Sequence, residues 1–245
     1  MFTGIVEHVG LLISAERGAD LMRFRIDLGP IAEGVGLGDS IAVAGCCLTV
    51  TGNEGSVFSF EAIAETMEKT RLDCFEADTR VNLERAMGAA ARFDGHIVQG
   101  HIDGTGRVRR FERTGADGND VKLHIECDSE LAGQLVDKGS VTIDGVSLTV
   151  VAVVPDGFHV ALIPHTLEIT TLADLREGHA VNLEVALLAR QSNPAVRVVA
   201  RLSNPVLRQA MNDGIGPGAV LDVADLAEMV DLHLRALRLV GATSR

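Results

Sequence analysis

Positive charge is scarce in this chain: 22 Lys and Arg stand against 34 Asp and Glu in 245 residues, for a net charge of −12 and a pI near 5.1. With no basic patch in the sequence, nucleic acid and an anionic membrane surface are excluded as expected partners, since both are bound through clustered cations. Arg107, Arg109 and Arg110 do cluster, but three such residues read as a solvated strand end. Long apolar runs are also missing. No stretch is long enough to span a bilayer, and the opening Met-Phe-Thr-Gly-Ile-Val-Glu has neither the basic region nor the apolar core of a secretory signal. A soluble cytoplasmic protein is expected. The four cysteines, Cys46, Cys47, Cys74 and Cys127, lack CxxC spacing, and two are adjacent, which suits neither a disulfide nor a zinc site. Reduced thiols are expected, with Cys46 read as a small buried apolar residue. GxSxG, a Walker loop, HExxH and a strand-to-helix GxGxxG are all absent, so no signature motif announces the chemistry.

What the chain does have is an internal echo. Ser40-Ile-Ala-Val-Ala-Gly-Cys-Cys-Leu-Thr-Val50 aligns with Ser140-Val-Thr-Ile-Asp-Gly-Val-Ser-Leu-Thr-Val150, one hundred residues later. The register holds without a gap: Ile63, Thr66, Glu68, Thr70 and Leu72 recur at 163, 166, 168, 170 and 172, and Val81-Asn-Leu-Glu84 recurs as Val181-Asn-Leu-Glu184. Gly4-Ile5-Val6, which opens the first copy, matches Gly100-His101-Ile102, which opens the second, at a spacing of 96. Solenoid repeats are about 20–50 residues long, so this period indicates a duplicated domain. The expected division is 1–96, 97–187 and a tail at 188–245.

Within each copy the runs at 22–28, 40–51, 56–63 and 80–86, and at 121–126, 140–153, 157–163 and 180–186, are rich in Val, Ile, Leu, Phe and Thr and bounded by turns. That pattern predicts strands, with turns at Asp117-Gly118-Asn119 and Pro155-Asp-Gly157. Short helices are predicted at 30–33 and 128–137. Many short strands with few helices imply an all-β fold, one small closed or nearly closed antiparallel barrel per copy. The tail is different. Pro194 and Pro205 interrupt it, and apolar residues at 223, 226, 230, 234 and 237 predict an amphipathic helix over 222–240 with Asp222 as N-cap and Gly241 beyond its end. Its polar face is mixed in charge, which favours packing on protein over a membrane.

The repeat also locates the candidate chemistry. Each Gly-x-x-Leu-Thr-Val strand, with the following Ile-x-x-Thr, offers hydroxyls and backbone amides at one barrel mouth: Thr49 and Thr66, or Ser147, Thr149 and Thr166. Such groups suit a flat neutral ring with many donors and acceptors and a polyol chain, and do not suit a phosphate. Threonine is also ordinary on a strand, and a duplicated segment can stay similar for the fold alone. The positions where the copies differ are therefore informative: Ile5 against His101, Cys47 against Ser147, Glu65 against His165, Ala44 against Asp144. Histidine titrates near neutrality, so His101 is a candidate acid or base as well as a candidate structural residue. Cys47 reads as a nucleophile or as a packing residue. Lys138 reads as a solvated turn residue or a polar anchor.

Phe2-Thr-Gly-Ile-Val6, Gly45-Cys-Cys-Leu-Thr-Val50, Glu65-Thr66, Gly100-His-Ile102, Lys138, Ile143-Asp-Gly-Val-Ser-Leu-Thr-Val150, Ile163-Pro-His-Thr-Leu-Glu168 and both Val-Asn-Leu-Glu runs resemble riboflavin synthase of the alpha-chain type, built from two lumazine-binding repeats. The resemblance covers residues 1 to about 187. It implies two six-stranded Greek-key barrels, a helical C-terminal segment joining three chains, and a site between the first barrel of one chain and the second barrel of its neighbour. The implied reaction is dismutation of two molecules of 6,7-dimethyl-8-ribityllumazine by four-carbon transfer, giving riboflavin and a ribitylamino-pyrimidinedione, with no metal or redox cofactor. Lumazine and riboflavin are the implied ligands, and association with lumazine synthase is a further implied partnership.

Carried over residue by residue, the family's pocket falls on Gly4, Ile5 and Val6; Cys47, Leu48 and Thr49; Glu61, Ala62, Ile63, Ala64, Glu65 and Thr66; Gly100, His101 and Ile102; Lys138; Ser147, Leu148 and Thr149; and Ile163, Pro164, His165, Thr166, Leu167 and Glu168. Ser40, Cys47, His101 and Phe2 match positions linked with catalysis. Three positions depart from the pattern. Ala186 stands where the family usually has a catalytic aspartate, Ala44 where Asn is common, and Asp78 where Gly is usual. The resemblance accordingly implies a transferase, with a non-catalytic lumazine or flavin carrier of the same fold as the alternative motivated by Ala186. A barrel of the flavin-reductase type is a more remote reading, and no nicotinamide motif supports it.

Overall fold

Burial alternates with period two along most of the strands, the mark of a sheet with one face in a core. The computed structural model describes residues 1–18, 21–88, 91–92, 94–114 and 120–186. In the first copy the strands are β1 (His8–Arg17), β2 (Leu21–Asp27), β3 (Ser40–Val43), β4 (Cys46–Glu54), β5 (Val57–Ile63) and β6 (Arg80–Arg85). In the second they are β7 (Gly104–Thr114), β8 (Asp120–Glu126), β9 (Ser140–Ile143), β10 (Val146–Val154), β11 (Gly157–Leu162) and β12 (Ala180–Val185). Each set closes into an antiparallel barrel, in the order β1-β2-β5-β4-β3-β6 and, in the same pattern, β7-β8-β11-β10-β9-β12. These are the two six-stranded Greek-key barrels that the resemblance implies. Closure leaves no free edge in either.

The cores are filled from the inward face of every strand. Leu12, Phe24, Ile26, Phe58, Phe60 and Leu83 fill the first, and Leu123, Ile125, Phe158, Val160, Val181 and Leu183 the second. Cys46 belongs to the first core, as expected, and its burial pushes the thiol up to about 12. That thiol is inert at neutral pH.

Several local expectations are corrected. Each predicted run at 40–51 and 140–153 is two strands, β3 and β4 or β9 and β10, because Ala44-Gly45 and Asp144-Gly145 turn the chain with left-handed backbones, φ 45° at Ala44 and 47° at Asp144. Strands β1 and β7 were not legible as runs. In β1 a register shift between Leu12 and Ser14 breaks the alternation, and Leu11 and Ile13 are exposed. The predicted helix at 128–137 shrinks to α2 (Ser129–Ala132), capped by the Asp128 carboxylate, which accepts from the Leu131 N–H at 2.7 Å. Two other helices, α1 (Ala64–Lys69) and α3 (Pro164–Ile169), follow β5 and β11. Thr66 and Thr166 therefore lie on helices, not at strand ends. Six residues are too few to display a helical period.

Asp78 does what the family's usual glycine would do: it sits at φ 69°, where its counterpart Gly178 has φ 90°, and aspartate tolerates that region better than most residues. Among the described residues no helix is long and apolar enough to cross a membrane. The predicted turn at 117–119 and the predicted helix at 222–240 lie outside the described residues.

Candidate active site

The repeated Val-Asn-Leu-Glu runs carry most of the architecture of the site. On β6 and β12 the Val and Leu side chains point into the cores, so Asn82 and Glu84, and Asn182 and Glu184, must face outward. All four are nonetheless buried, because the two barrels and two crossing segments cover them. Asn82 accepts from the Thr171 N–H at 2.8 Å and donates to the Asp144 carbonyl at 3.0 Å. Asn182 does the reciprocal, accepting from the Arg71 N–H at 2.8 Å and donating to the Ala44 carbonyl at 2.9 Å. Each asparagine thus bonds the opposite barrel. Asp144 adds a one-sided clamp: its carboxylate takes both Nε and Nη2 of Arg71, at 3.0 and 2.9 Å, and the Asn182 N–H at 2.9 Å. The Arg71 guanidinium lies 4.9 Å above the Phe75 ring.

The two glutamates hold the opening segments. Glu84 accepts from the Thr3 N–H at 2.6 Å, the Thr3 hydroxyl at 2.8 Å and the Gly4 N–H at 3.0 Å. Glu184 accepts from the Gln99 N–H at 2.7 Å and the Gly100 N–H at 2.9 Å. The segments also pair with each other, the Phe2 and Val98 N–H groups donating to the opposite carbonyls at 2.8 and 3.1 Å. Each then lands on the other copy's barrel. The Gly4 carbonyl accepts from the Ser147 N–H at 2.7 Å and the Gly100 carbonyl from the Cys47 N–H at 2.9 Å. Val6 joins the core of the second barrel, and Ile102 packs on that of the first. The opening segments are exchanged. His101 therefore belongs with Cys47 and Ile5 with Ser147, which reverses the grouping that sequence order suggests.

Glycine makes this crossing feasible. Gly4 and Gly100 have φ of 76° and 78°, and a Cβ on Gly100 would sit 2.6 Å from the Cys47 Cβ and 3.0 Å from its nitrogen. Gly100→Ala is expected to lift the segment off the first barrel, destabilising the fold by about 1–3 kcal/mol and misplacing His101. Thermal unfolding together with ligand titration would read both effects, and an unchanged melting curve would contradict this account.

Burial pushes the Glu184 carboxyl up to about 7, against the opposing pull of the Gln99 and Gly100 N–H groups. Burial likewise raises Glu84. Since the folded pKa of Glu184 lies above the ordinary 4.5, the folded chain holds this proton more tightly than the unfolded one. The associated stability is complete below about pH 4.5 and is lost as the pH rises through 7. At roughly 1.4 kcal/mol per unit the difference is on the order of 3 kcal/mol. Denaturant unfolding at pH 5 and pH 7.5 is expected to show this fall, and Glu184→Gln to flatten it.

On the first barrel, Ser40 and Ala42 of β3 and Cys47 and Thr49 of β4 share the outward face, with Ser40 opposite Thr49 and Ala42 opposite Cys47. Phe2 is fully buried against Ala42 and Val98, with Cys47 packed on that cluster. The exposed Ile63, Ala64 and Glu65 and the half-buried Thr66 form the β5–α1 corner, and His101 is exposed on the crossing segment. Ser40 also lines a cavity of about 580 Å³, shared with Ile5, Glu84, Arg85, Ala86 and Met87. On the second barrel the corresponding set is Ser147, Thr149, Ile163, Pro164, His165, Thr166 and the exposed Ile5. Lys138 is exposed at a turn with φ 65°, donating its N–H to the Val150 carbonyl at 2.8 Å.

Not every carried-over residue faces these surfaces. Leu48, Ala62 and Leu148 belong to the cores, Leu167 packs on one, and Glu61 is paired with Arg23 at 3.0 Å. Sequence reasoning missed the anchoring by Glu84 and Glu184, although their exact repetition was the available signal. It also missed His96, whose Nδ1 lies 2.8 Å from the Ser147 hydroxyl and which no repeat marks.

The lumazine binding domain family matches residues 3–86 and 99–186. The riboflavin synthase of Bacillus subtilis (strain 168) is 41% identical over 190 residues, which cover 78% of this chain and 87% of that protein. The riboflavin synthase of Mycobacterium bovis is 43% identical over 195 residues, covering 78% and 95%. A solved structure of LumP complexed with 6,7-dimethyl-8-(1'-D-ribityl) lumazine superposes with a TM-score of 0.68 at 26% identity, covering 76% of this chain and 99% of that one.

Proposed function

Because the chain belongs to the riboflavin synthase family, with both lumazine-binding repeats present, we propose that its two exchanged surfaces hold two molecules of 6,7-dimethyl-8-ribityllumazine and pass a four-carbon unit from one to the other. The products are riboflavin and 5-amino-6-(ribitylamino)pyrimidinedione. The observation that carries this reading is the reciprocal construction itself. Each barrel offers the same outward Thr on its Leu-Thr-Val strand and the same Ile-x-x-Thr corner, completed by the other copy's opening segment, so one chain presents two related cradles for two identical molecules. The exposed Thr49 and Thr149, the half-buried Thr66 and Thr166 and the neighbouring amides suit a ring rich in donors and acceptors, and a ribityl chain.

The chain's own residues divide the work. Cradles that stack and orient two substrates turn a bimolecular encounter into an effectively unimolecular step. His101, beside the Cys47 strand, and Ser40, on the same outward face as Cys47, move protons at the acidic C7 methyl group. Phe2 acts from beneath the surface, keeping the Ala42 and Cys47 face in register with the crossing segment. The barrels correspond to residues 1–96 and 97–187, and 188–245 serves as the oligomerisation segment of a cytoplasmic homotrimer in which the first barrel of one chain faces the second of its neighbour. Association with lumazine synthase belongs to the same reading.

Incubation of the purified protein with the lumazine, followed by absorbance and fluorescence of riboflavin, tests the proposal; binding without riboflavin formation would refute it. Ala186, at the position of the family's usual aspartate, favours a second reading, a non-catalytic carrier. Under that reading Ala186→Asp is expected to raise the rate by about 10²-fold or more, whereas an already active protein would show little change. Light scattering that finds only monomer would remove the shared site between chains.

A further inference from the structure

The two cradles rest on different foundations. Beneath Cys47 lie Phe2, Ala42 and Val98, all apolar. The equivalent place in the second barrel is polar: Ser147 stands opposite Thr142 across the β9–β10 pair, and its hydroxyl lies 2.8 Å from His96 Nδ1. The His96 backbone is tied into the crossing pair, its N–H donating to the Thr3 carbonyl at 3.0 Å. Its Nε2 and the Thr142 hydroxyl are buried without a hydrogen-bond partner among the described residues. Burial also keeps the imidazole neutral, its pKa falling to about 4.

A neutral imidazole carries one N–H. Placing it on Nε2 would bury an unpaired donor, and an orphaned N–H is the rarer and costlier arrangement. With the hydrogen on Nδ1, His96 donates to Ser147, the Nε2 lone pair is the group left bare, and the serine's own hydrogen is free to turn outward. We propose that His96 is a positioning residue that fixes Ser147 as a hydrogen-bond donor to an acceptor atom, a carbonyl oxygen or ring nitrogen, of the heterocycle bound on the second barrel. This rests on the reading of the two surfaces as lumazine cradles. The first barrel offers a thiol at the same place, a much weaker donor. Two identical molecules are then held unequally, as a reaction that makes one the donor and one the acceptor requires.

Titration of the intact protein with 6,7-dimethyl-8-ribityllumazine, followed by ligand fluorescence, tests this through three substitutions. His96→Ala is expected to weaken one of two classes of site by about three- to tenfold, the size of one net hydrogen bond, and to leave the other class unchanged. His96→Asn, whose amide N–H falls near the place of Nδ1, is expected to restore most of that affinity. His96→Gln reaches instead to the place of Nε2 and is expected to behave like alanine. In a Ser147→Ala background His96→Ala should add nothing. Equal weakening of both classes, a full effect of His96→Ala without the Ser147 hydroxyl, or indistinguishable Asn and Gln variants would each overturn the inference. The contrast between Asn and Gln keeps the test decisive if the alanine variant fails to fold. Failure of the unaltered protein to bind the lumazine at all is a separate outcome: it overturns the cradle reading, and this inference with it.

Discussion

His101→Ala is expected to lower riboflavin formation by about 10²- to 10⁴-fold, the range for loss of a general acid or base, with little change in thermal stability. Gly100 is held at both ends, its N–H by Glu184 at 2.9 Å and its carbonyl by the Cys47 N–H at 2.9 Å, so the next residue has a set position over the first barrel. The His101 side chain itself is exposed, and truncating an exposed side chain changes stability by about 0.5 kcal/mol or less. A histidine whose backbone neighbour is anchored at both ends while its own side chain contributes little to the fold is free to serve chemistry. The loss should fall on kcat while KM stays within a few-fold, since proton transfer is needed in the transition state more than in the bound complex. A rate within threefold of the unaltered protein would remove His101 from the mechanism.

Asp144→Ala is expected to have the largest effect on stability, about 3–5 kcal/mol, which for a unit of this size lowers Tm by roughly 10 °C. Asp144 is 1% exposed and Arg71 is 18% exposed. Removing the carboxylate strands a largely desolvated guanidinium and leaves the Asn182 N–H without its acceptor. Alanine must also adopt φ near 47° there, although Ala44 already does so in the first copy. Asp144→Asn should cost less, because asparagine accepts the left-handed backbone and keeps one oxygen. Pairing Asp144→Ala with Arg71→Met should recover part of the loss, since no buried charge is then left unmatched. Calorimetry on the single and double variants reads the comparison directly; a single variant within 1 kcal/mol of the parent would show that the clamp is not needed to join the barrels.

The duplicated strands were legible because closed barrels impose their own pattern. Val57–Ile63 and Gly157–Leu162 alternate between core and surface, and so recur as runs of Val, Phe, Ile and Leu. β1 was not legible, because its bulge at Leu12/Ser14 resets the alternation midway. The six-residue helices after β5 and β11 are too short for their period to show. Among the candidate site residues, Thr49, Thr66, Thr149 and Thr166 could be read from the repeat, and Cys47, His101 and Ser147 from its mismatches. His96 could not. It matters only because the second barrel's Ser147 comes to lie 2.8 Å away, fifty-one residues along the chain.

By itself the sequence determined the duplication, the barrel class, the family and the residue types available for binding. Those follow from local spacing and side-chain chemistry, which a linear chain displays directly. Only the tertiary structure decided which residues share a cradle. Gly4 lies on Ser147 and Gly100 on Cys47 because each opening segment crosses to the opposite barrel, held by Glu84 or Glu184 through backbone N–H groups. Backbone amides are the same in every residue but proline, so no side-chain pattern records where they bond. A hundred-residue repeat also permits both pairings equally well. Packing selects between them, because a glycine at each crossing admits the close approach, and two buried carboxylates need the donors that the crossing supplies.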